Sequence, residues 1–200
     1  TTSLVQQEDF DIRKRYNISK DKKLAVCVGN IVERKNQIQV VRAFSLLPES
    51  VRSNLVILFL GNDFTNGVFK SEIKKFELEN SLIICGNIPK DQVPFFYRQA
   101  SFNIVASISE GFGLSIIEGF VYGVPTVAYS DLDAIPDLYN KKAMLLVDNR
   151  TDNALAKGIE NAFRREWKTG FIKEFSENFS FTKMAERYIT IYKKIIQAEK

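Results

Sequence analysis

The sequence contains no histidine. Its absence removes the commonest general base and the commonest metal ligand, and excludes a Ser-His-Asp hydrolase built from this chain alone. Cysteine is nearly as scarce: Cys27 and Cys85 each lie in an apolar, strand-like run, and neither has a CxxC partner. Two isolated thiols of this kind read as buried and free in a reducing compartment, so no disulfide framework or zinc site is expected and the cytoplasm is. Long hydrophobic runs are also missing, since stretches such as 55–60 are far too short to cross a bilayer. The opening Thr1-Thr2-Ser3-Leu4 lacks the basic start and apolar stretch of a secretory signal, and no initiator Met is present. Charge of one sign is in short supply as well. The 28 Lys and Arg against 24 Asp and Glu leave a net +4, which suits an anionic ligand but is too weak to argue for nucleic acid.

What is present fits a soluble α/β domain. A hydrophobic share of 45% and a charged share of 26% are ordinary for a globular chain, and 200 residues can bury a substantial core. Short β-rich runs alternate with helix-period segments, the pattern of a parallel sheet with crossover helices. Strands are expected over 24–29, 55–61, 82–86, 102–106, 126–129 and 143–147. Helices are expected over 36–47, 68–80, 91–100, 114–122 and 152–164. The reading is a Rossmann-like three-layer α/β/α domain with a central parallel sheet of about six strands. Residues 1–20 form an interdomain approach segment with a short helix near 11–16, and 21–165 form the binding domain. Residues 166–200 supply carboxy-terminal helices, the last running from 179 with Met184, Tyr188, Ile189, Tyr192 and Ile196 as one apolar stripe. The tail aromatics Trp167, Phe171, Phe175, Phe179 and Phe181 are expected to pack in the core rather than face a membrane. No internal repeat and no low-complexity segment is visible.

In an open α/β sheet, ligands bind in the crevice beyond the carboxyl ends of the strands. Two loops at such ends stand out. The first is Gly29-Asn30-Ile31-Val32-Glu33-Arg34-Lys35-Asn36, where Arg34 and Lys35 lie where a departing diphosphate would gather charge. The second runs Ser107-Ile108-Ser109-Glu110-Gly111-Phe112-Gly113-Leu114-Ser115-Ile116-Ile117-Glu118. Gly111 and Gly113 let the backbone approach a ligand closely, and the first amides of the helix from Leu114 are unpaired at the positive end of its dipole. A phosphate matches that position. Glu118 leans back toward the helix start, placed to accept hydrogen bonds from ribose hydroxyls, with Ser115 three residues before it on the same face. Ile116, Ile117, Phe120 and Val121 are left to pack on the sheet. Asp131, Asp133 and Asp137 show no recognisable metal-ligand spacing and read as a turn and helix cap. Strand one is followed by GNIVER, without the GxGxxG turn of a dinucleotide site, which argues against an oxidoreductase.

Four segments carry a resemblance: VGNIVERKNQIQVVRAF (28–44), CGNIP (85–89), YRQASFNIVASISEGFGLSIIEGFVYGVPTVAYS (97–130) and MLLVDNRTDNALAKGIENAF (144–163). Together they resemble the carboxy-terminal, donor-binding domain of retaining family-4 glycosyltransferases, one half of the two-domain GT-B fold. The resemblance implies that Arg34 and Lys35 contact the donor pyrophosphate and that Glu110 lies by the donor sugar, making these three the catalytic group. It implies that Gly29, Asn30 and the backbone from Gly111, Phe112 and Gly113 to Leu114 and Ser115 bind the substrate. By the same resemblance Glu118 binds ribose, and Asn87 and Ile88 lie against the base. Asn30 departs from the pattern, because family members commonly carry Arg at that position.

The implied reaction is retaining transfer of a sugar from a nucleoside-diphosphate donor to an acceptor hydroxyl. No metal or other cofactor is required, because the cationic groups fill that role. The implied partners are the nucleoside-diphosphate sugar and a missing amino-terminal acceptor domain, to which the last helix crosses back. Peripheral membrane association of the longer enzyme is a further expectation, and nucleic acid is not. The chain is read as a fragment of a larger protein or one half of a split enzyme. Two rival readings are a nucleotide-sugar 2-epimerase of the same architecture and a non-catalytic module that binds nucleotide sugar or a partner subunit.

Overall fold

Short aliphatic and β-branched runs form six strands in the computed structural model, which describes residues 11–198. They are β1 (Lys23–Val28), β2 (Leu55–Leu60), β3 (Leu82–Gly86), β4 (Phe102–Val105), β5 (Thr126–Tyr129) and β6 (Met144–Val147). All neighbouring pairs are parallel, in the order β3-β2-β1-β4-β5-β6. Every residue of β2 is buried, which a strand tolerates only when helices cover both sheet faces. The chain travels from β1 out to the edge at β3 and returns to start β4 beside β1, where Ala25 pairs with Phe102. The strand order reverses there, which opens the crevice that ligands use in this architecture.

The helices follow the sequence reading with instructive shifts. The first, α1 (Ile12–Arg15), is capped by Asp11, whose carboxylate accepts from the Lys14 amide. Next, α2 (Gln37–Ser45) is preceded by a 3-10 turn over Glu33–Lys35 and by Asn36 in the left-handed region at φ 51°. A one-turn helix, α3 (Glu49–Arg52), was not expected. The charged helix α4 (Val68–Lys75) stops well before residue 80. Glu77 takes a left-handed conformation at φ 55° and the Leu78 amide bonds back to the Ile73 carbonyl, a Schellman-type closure without the usual glycine signal. Then come α5 (Val93–Gln99) and α6 (Leu114–Val121). Another one-turn helix, α7 (Ile135–Leu138), accommodates Pro136 in its first turn. The last three are α8 (Asp152–Arg164), capped by Thr151, α9 (Thr169–Ser176) and α10 (Phe181–Ala198).

The core lies on both sides of the sheet. On one face Phe44 of α2, Phe69 of α4, Ile116 and Phe120 of α6 and Ile159 of α8 pack with Phe59 and Phe102. On the other, Ile12 of α1 and Phe96 and Tyr97 of α5 cover Leu24, Val26, Val56 and Leu58. Trp167, Phe171, Phe175 and Phe179 pack against the larger core as expected. Phe181 does not: it is 89% exposed at the start of α10. Val121 also corrects the reading, because α6 presents only a narrow stripe to the sheet and leaves Val121 half exposed. The predicted stripe on α10 is present, but Tyr188, Ile189, Tyr192 and Ile196 are all exposed. Among the described residues, no helix is long and apolar enough to cross a membrane. Residues 1–10 of the expected approach segment lie outside the described residues.

Candidate functional site

Because β1 and β4 are neighbours, their carboxyl-end loops leave the sheet side by side. Glycine makes the first turn feasible. Gly29 sits at φ 126°, and a Cβ on Gly61 beyond β2 would lie 2.4 Å from the Gly29 carbonyl oxygen, so the two backbones pass in contact. The 3-10 turn then swings Lys35 back over Gly29, with its Cε 3.5 Å from where a Gly29 Cβ would stand.

The two loops are joined by charge. The Lys35 ammonium donates to both oxygens of Glu110, with Oε2 at 2.9 Å. Arg34 Nη1 lies 3.6 Å from Glu110 Oε2 and donates to the Ser109 carbonyl at 2.9 Å. In return, the Ile108 amide donates to the Arg34 carbonyl at 2.8 Å. Glu110 is only 6% exposed, whereas the Arg34 side chain is open to solvent. The three predicted charged residues therefore meet, with the carboxylate already occupying both cations.

Beyond Glu110, Gly111 and Phe112 are exposed and Gly113 begins α6 at φ 72°. No side chain caps this helix start, and among the described residues the amides of Leu114 and Ser115 have no partner. Leu114 itself is 64% exposed. The turn is buttressed from behind: a Cβ on Gly113 would come within 2.7 Å of Leu138 Cδ1 on α7. The helix tip is thus uncapped and exposed at Leu114, with Gly113 packed against Leu138. A groove of about 590 Å³ continues from it between Gly111, Phe112 and Leu138 and the α10 residues Met184, Tyr188 and Ile191.

Two sequence expectations need correction. Ser115 does not share the exposed face of Glu118; it is buried toward the sheet, because residues three apart on a helix differ by about 60° in direction. Its carbonyl accepts from the Tyr97 hydroxyl and from Asn103 Nδ2, each at 3.0 Å. Its hydroxyl and Gln37 Oε1 are buried without partners and line a small space with Cys27, Lys35 and Ser107. Burial there pushes the Cys27 thiol up to about 12. Ile88 has its side chain in the smaller core, so only its backbone and exposed Asn87 are open beyond β3. Among the described residues, no hydrogen bond or ion pair joins Asn87 or Ile88 to the two loops, and β3 is separated from β1 by β2.

Glu118 is open to solvent along α6, but its carboxylate leans toward the core, with Oε2 3.4 Å from the buried Tyr97 hydroxyl. Partial burial holds its carboxyl above the ordinary glutamate value, an effect that the Tyr97 hydroxyl opposes. Asn30 serves structure through two of its groups: its Oδ1 accepts from the Asn62 amide at 3.1 Å and its carbonyl from Gln37 Nε2 at 2.9 Å. It ties the β1 loop to the β2 loop and supplies no charge.

Sequence reasoning passed over Arg150, which follows β6. Its guanidinium grips Asp131 after β5, with Nε and Nη2 each 2.8 Å from a carboxylate oxygen. It also donates to the Ser107 carbonyl at 2.9 Å and the Ile108 carbonyl at 3.1 Å. A basic residue just past a strand's carboxyl end was the available signal. Asp131 is thus half of an ion pair, and among the described residues no group of three or more His, Cys, Asp or Glu is placed to hold a metal.

This fold and site have counterparts among known proteins. TuaC of Bacillus subtilis strain 168, named for teichuronic acid biosynthesis as a glycosyltransferase, is 29% identical over 149 residues, which is 74% of this chain and 35% of that protein. The crystal structure of a glycosyltransferase from Rickettsia africae superposes with a TM-score of 0.77 at 22% identity, covering 92% of this chain and 50% of that one. HepE of Anabaena, solved in complex with UDP and glucose, superposes with a TM-score of 0.70 at 17% identity, covering 93% of this chain and 50% of that one. This chain therefore spans about a third of the curated relative and half of each solved neighbour, and its six-stranded parallel sheet matches one half of the GT-B fold. The sequence pattern of the family described as "Glycosyl transferases group 1" matches residues 8–180, and the chain belongs to that family.

Proposed function

We propose that this chain is the donor-binding half of a retaining glycosyltransferase that takes a nucleoside-diphosphate sugar. The observation that carries the reading is the uncapped start of α6, reached through the loop whose Glu110 pairs with Lys35 and Arg34, with Ser115 lining a space shared with Lys35. A helix terminus offers roughly half a positive charge and free amides, and two adjacent cations complete a seat for two linked phosphates. HepE, solved with UDP and glucose, is a fold neighbour consistent with such a ligand.

In the proposed reaction the bond between the sugar's anomeric carbon and the diphosphate oxygen breaks. A bond from that carbon to the acceptor oxygen forms on the same face, and the acceptor hydroxyl's proton passes to the departing diphosphate oxygen. Negative charge grows on the leaving diphosphate, where Lys35, Arg34 and the amides of Leu114 and Ser115 stabilise it. Once the donor is seated these groups need no further reorganisation during the reaction, and such electrostatic stabilisation is often the largest contribution to a rate enhancement. These cations supply the positive charge a divalent metal would otherwise bring. Glu110 is the proposed contact to the sugar. For the diphosphate to enter, the Lys35–Glu110 contact opens and the ammonium is shared between carboxylate and phosphate. Glu118 is the proposed ribose contact.

The apolar stripe of α10 is the proposed face for an amino-terminal acceptor half, absent from these 200 residues. Alone, the chain binds donor and turns over poorly. Calorimetric titration with UDP-, GDP- and ADP-sugars tests the binding claim; no binding to any of them removes the reading. Full transferase activity with a simple acceptor would remove the two-half division. A non-catalytic nucleotide-sugar module is the second reading, favoured by Asn30, which supplies a structural tie and no charge. Under that reading, Lys35 and Glu118 substitutions in the longer protein alter assembly or regulation and leave turnover intact.

A further inference from the structure

The loop that carries Glu110 is held from two sides. On the β1 side Arg34 bonds the Ser109 carbonyl and receives the Ile108 amide. On the β6 side the Arg150 guanidinium spans the Ser107 and Ile108 carbonyls while pairing with Asp131 through two of its nitrogens. Four of its five N–H groups are thereby used, across loops that follow three adjacent strands, β4, β5 and β6.

Arg150 is itself fixed in place. Its guanidinium carbon lies 4.4 Å from the centre of the Tyr129 ring, a stacking arrangement suited to a planar cation. Its own carbonyl accepts from buried Gln39 Nε2 at 2.7 Å, and Gln39 Oε1 accepts from the Tyr129 hydroxyl at 2.9 Å. Asn36, which ends the basic turn, donates to the same Gln39 oxygen at 2.7 Å. One network therefore runs from the turn bearing Lys35 through Gln39 to Arg150 and on to the loop bearing Glu110.

From this geometry we infer that Arg150 is a positioning residue that fixes Glu110 for the donor sugar without touching the donor. The inference rests on the donor-binding reading above. A lysine cannot reproduce it, because an ammonium lacks the planar fork that bridges a carboxylate and two carbonyls. The diphosphate seat belongs to α6 and Lys35, so binding of the bare nucleotide should not depend on Arg150. The gain in affinity from the attached sugar should.

Wild type, Arg150→Gln, Arg150→Lys, Glu110→Gln and the Arg150→Gln/Glu110→Gln double variant are compared in two ways. First, amide hydrogen exchange of the unliganded chain is followed over peptides covering 107–112. Both Arg150 variants should exchange faster there while the β-strands keep their protection; unchanged exchange in the loop overturns the clamp. Second, calorimetry compares UDP with UDP-glucose and UDP-N-acetylglucosamine, and GDP with GDP-mannose. Both Arg150 variants should keep the affinity for bare nucleotide and lose about tenfold of the sugar's added affinity, the effect of one charge-assisted hydrogen bond. In the Glu110→Gln background the second substitution should add nothing. Parallel losses for nucleotide and nucleotide sugar, or additive losses in the double variant, make Arg150 merely structural and overturn the inference. A wild type that gains nothing from any sugar overturns it too. A wild type that binds no nucleotide defeats the donor reading itself, and the exchange experiment still decides whether the clamp exists.

Discussion

The Lys35 ammonium and the Glu110 carboxylate neutralise each other at the carboxyl ends of β1 and β4. The cation proposed to meet a diphosphate is thus paired with the acid proposed to meet the sugar. Replacing Glu110 by Gln should release the cation. Bare UDP is expected to bind the variant several-fold more tightly at low ionic strength, with the gain shrinking as salt rises, because added ions shorten the screening length to about 8 Å at physiological ionic strength. Calorimetry at two salt concentrations checks this; equal affinity for variant and wild type shows that the carboxylate does not compete.

Replacing Lys35 by Met has the opposite character. It leaves Glu110 nearly buried with only the exposed Arg34 at 3.6 Å. The expected cost is about 2 kcal/mol, below the 3–5 kcal/mol typical of breaking a fully buried pair because Arg34 remains. Urea denaturation measures it, and adding Glu110→Gln should recover most of the loss. UDP affinity should fall at least about tenfold, since a hydrogen bond from a charged donor is lost.

Gly113 holds the helix start open and has no room for a side chain. A Cβ would meet Leu138 at 2.7 Å, on a residue at φ 72°. Gly113→Ala should cost roughly 2–4 kcal/mol, combining left-handed strain with overpacking. Thermal unfolding reads the cost. A variant as stable as wild type would mean that α7 does not buttress this turn.

Glu118 gives a pH dependence with a definite sign. Partial burial raises its carboxyl above 4.5, so protonation sets in at a higher pH than for a free glutamate. The protonated form cannot act as a double acceptor for ribose hydroxyls. Donor affinity should therefore be full near neutrality and fall as pH drops through the raised value. Glu118→Gln should bind about tenfold more weakly at pH 7, for want of a charge-assisted bond, and lose this pH dependence. Calorimetry from pH 7 to 4.5 with the wild type and this variant separates the effect from general acid unfolding.

The exposed face of α10 predicts a mild truncation. Phe181 and the stripe through Ile196 make few buried contacts in this chain, although Met184 is half buried. Ending the chain after Ser180 should lower stability by about 1 kcal/mol, a shift of a few degrees in Tm for a domain of this size. It should also reduce self-association measured by light scattering, since the exposed stripe is a large apolar patch. A collapse of the fold on truncation would show that α10 belongs to the core.

The sheet was readable from the sequence because buried parallel strands are written as continuous apolar runs. Segments 82–86 and 126–129 matched their strands end to end. The helices were less legible at their ends. At Glu77 a glutamate occupies the left-handed position where glycine would have signalled a stop, and α3 and α7 are single turns with no periodicity to detect. At the site, the sequence reading put the loops of Arg34, Lys35 and Glu110 at strand carboxyl ends, but their meeting needed the β1–β4 adjacency, which no local pattern encodes. The burial of Ser115 was not legible either, because a helix wheel alone does not say which flank faces the sheet. Arg150 and Gln39 were harder to find for another reason: beside Asp131, Tyr129 and Asn36, several of their partners are main-chain carbonyls, and a carbonyl carries no side-chain identity.

Placing β4 beside β1 also has a kinetic consequence. Lys35 and Glu110 are 75 residues apart in the chain, so no local segment can assemble the seat. It exists only after the excursion through β2 and β3 has closed, and long loop closures of this kind slow folding. A ligand that occupies both loops at once favours the fully closed chain by mass action. Nucleotide would thus retard unfolding at the β1–β4 junction, and a nascent chain released before residue 110 would carry the basic turn with nothing to complete it.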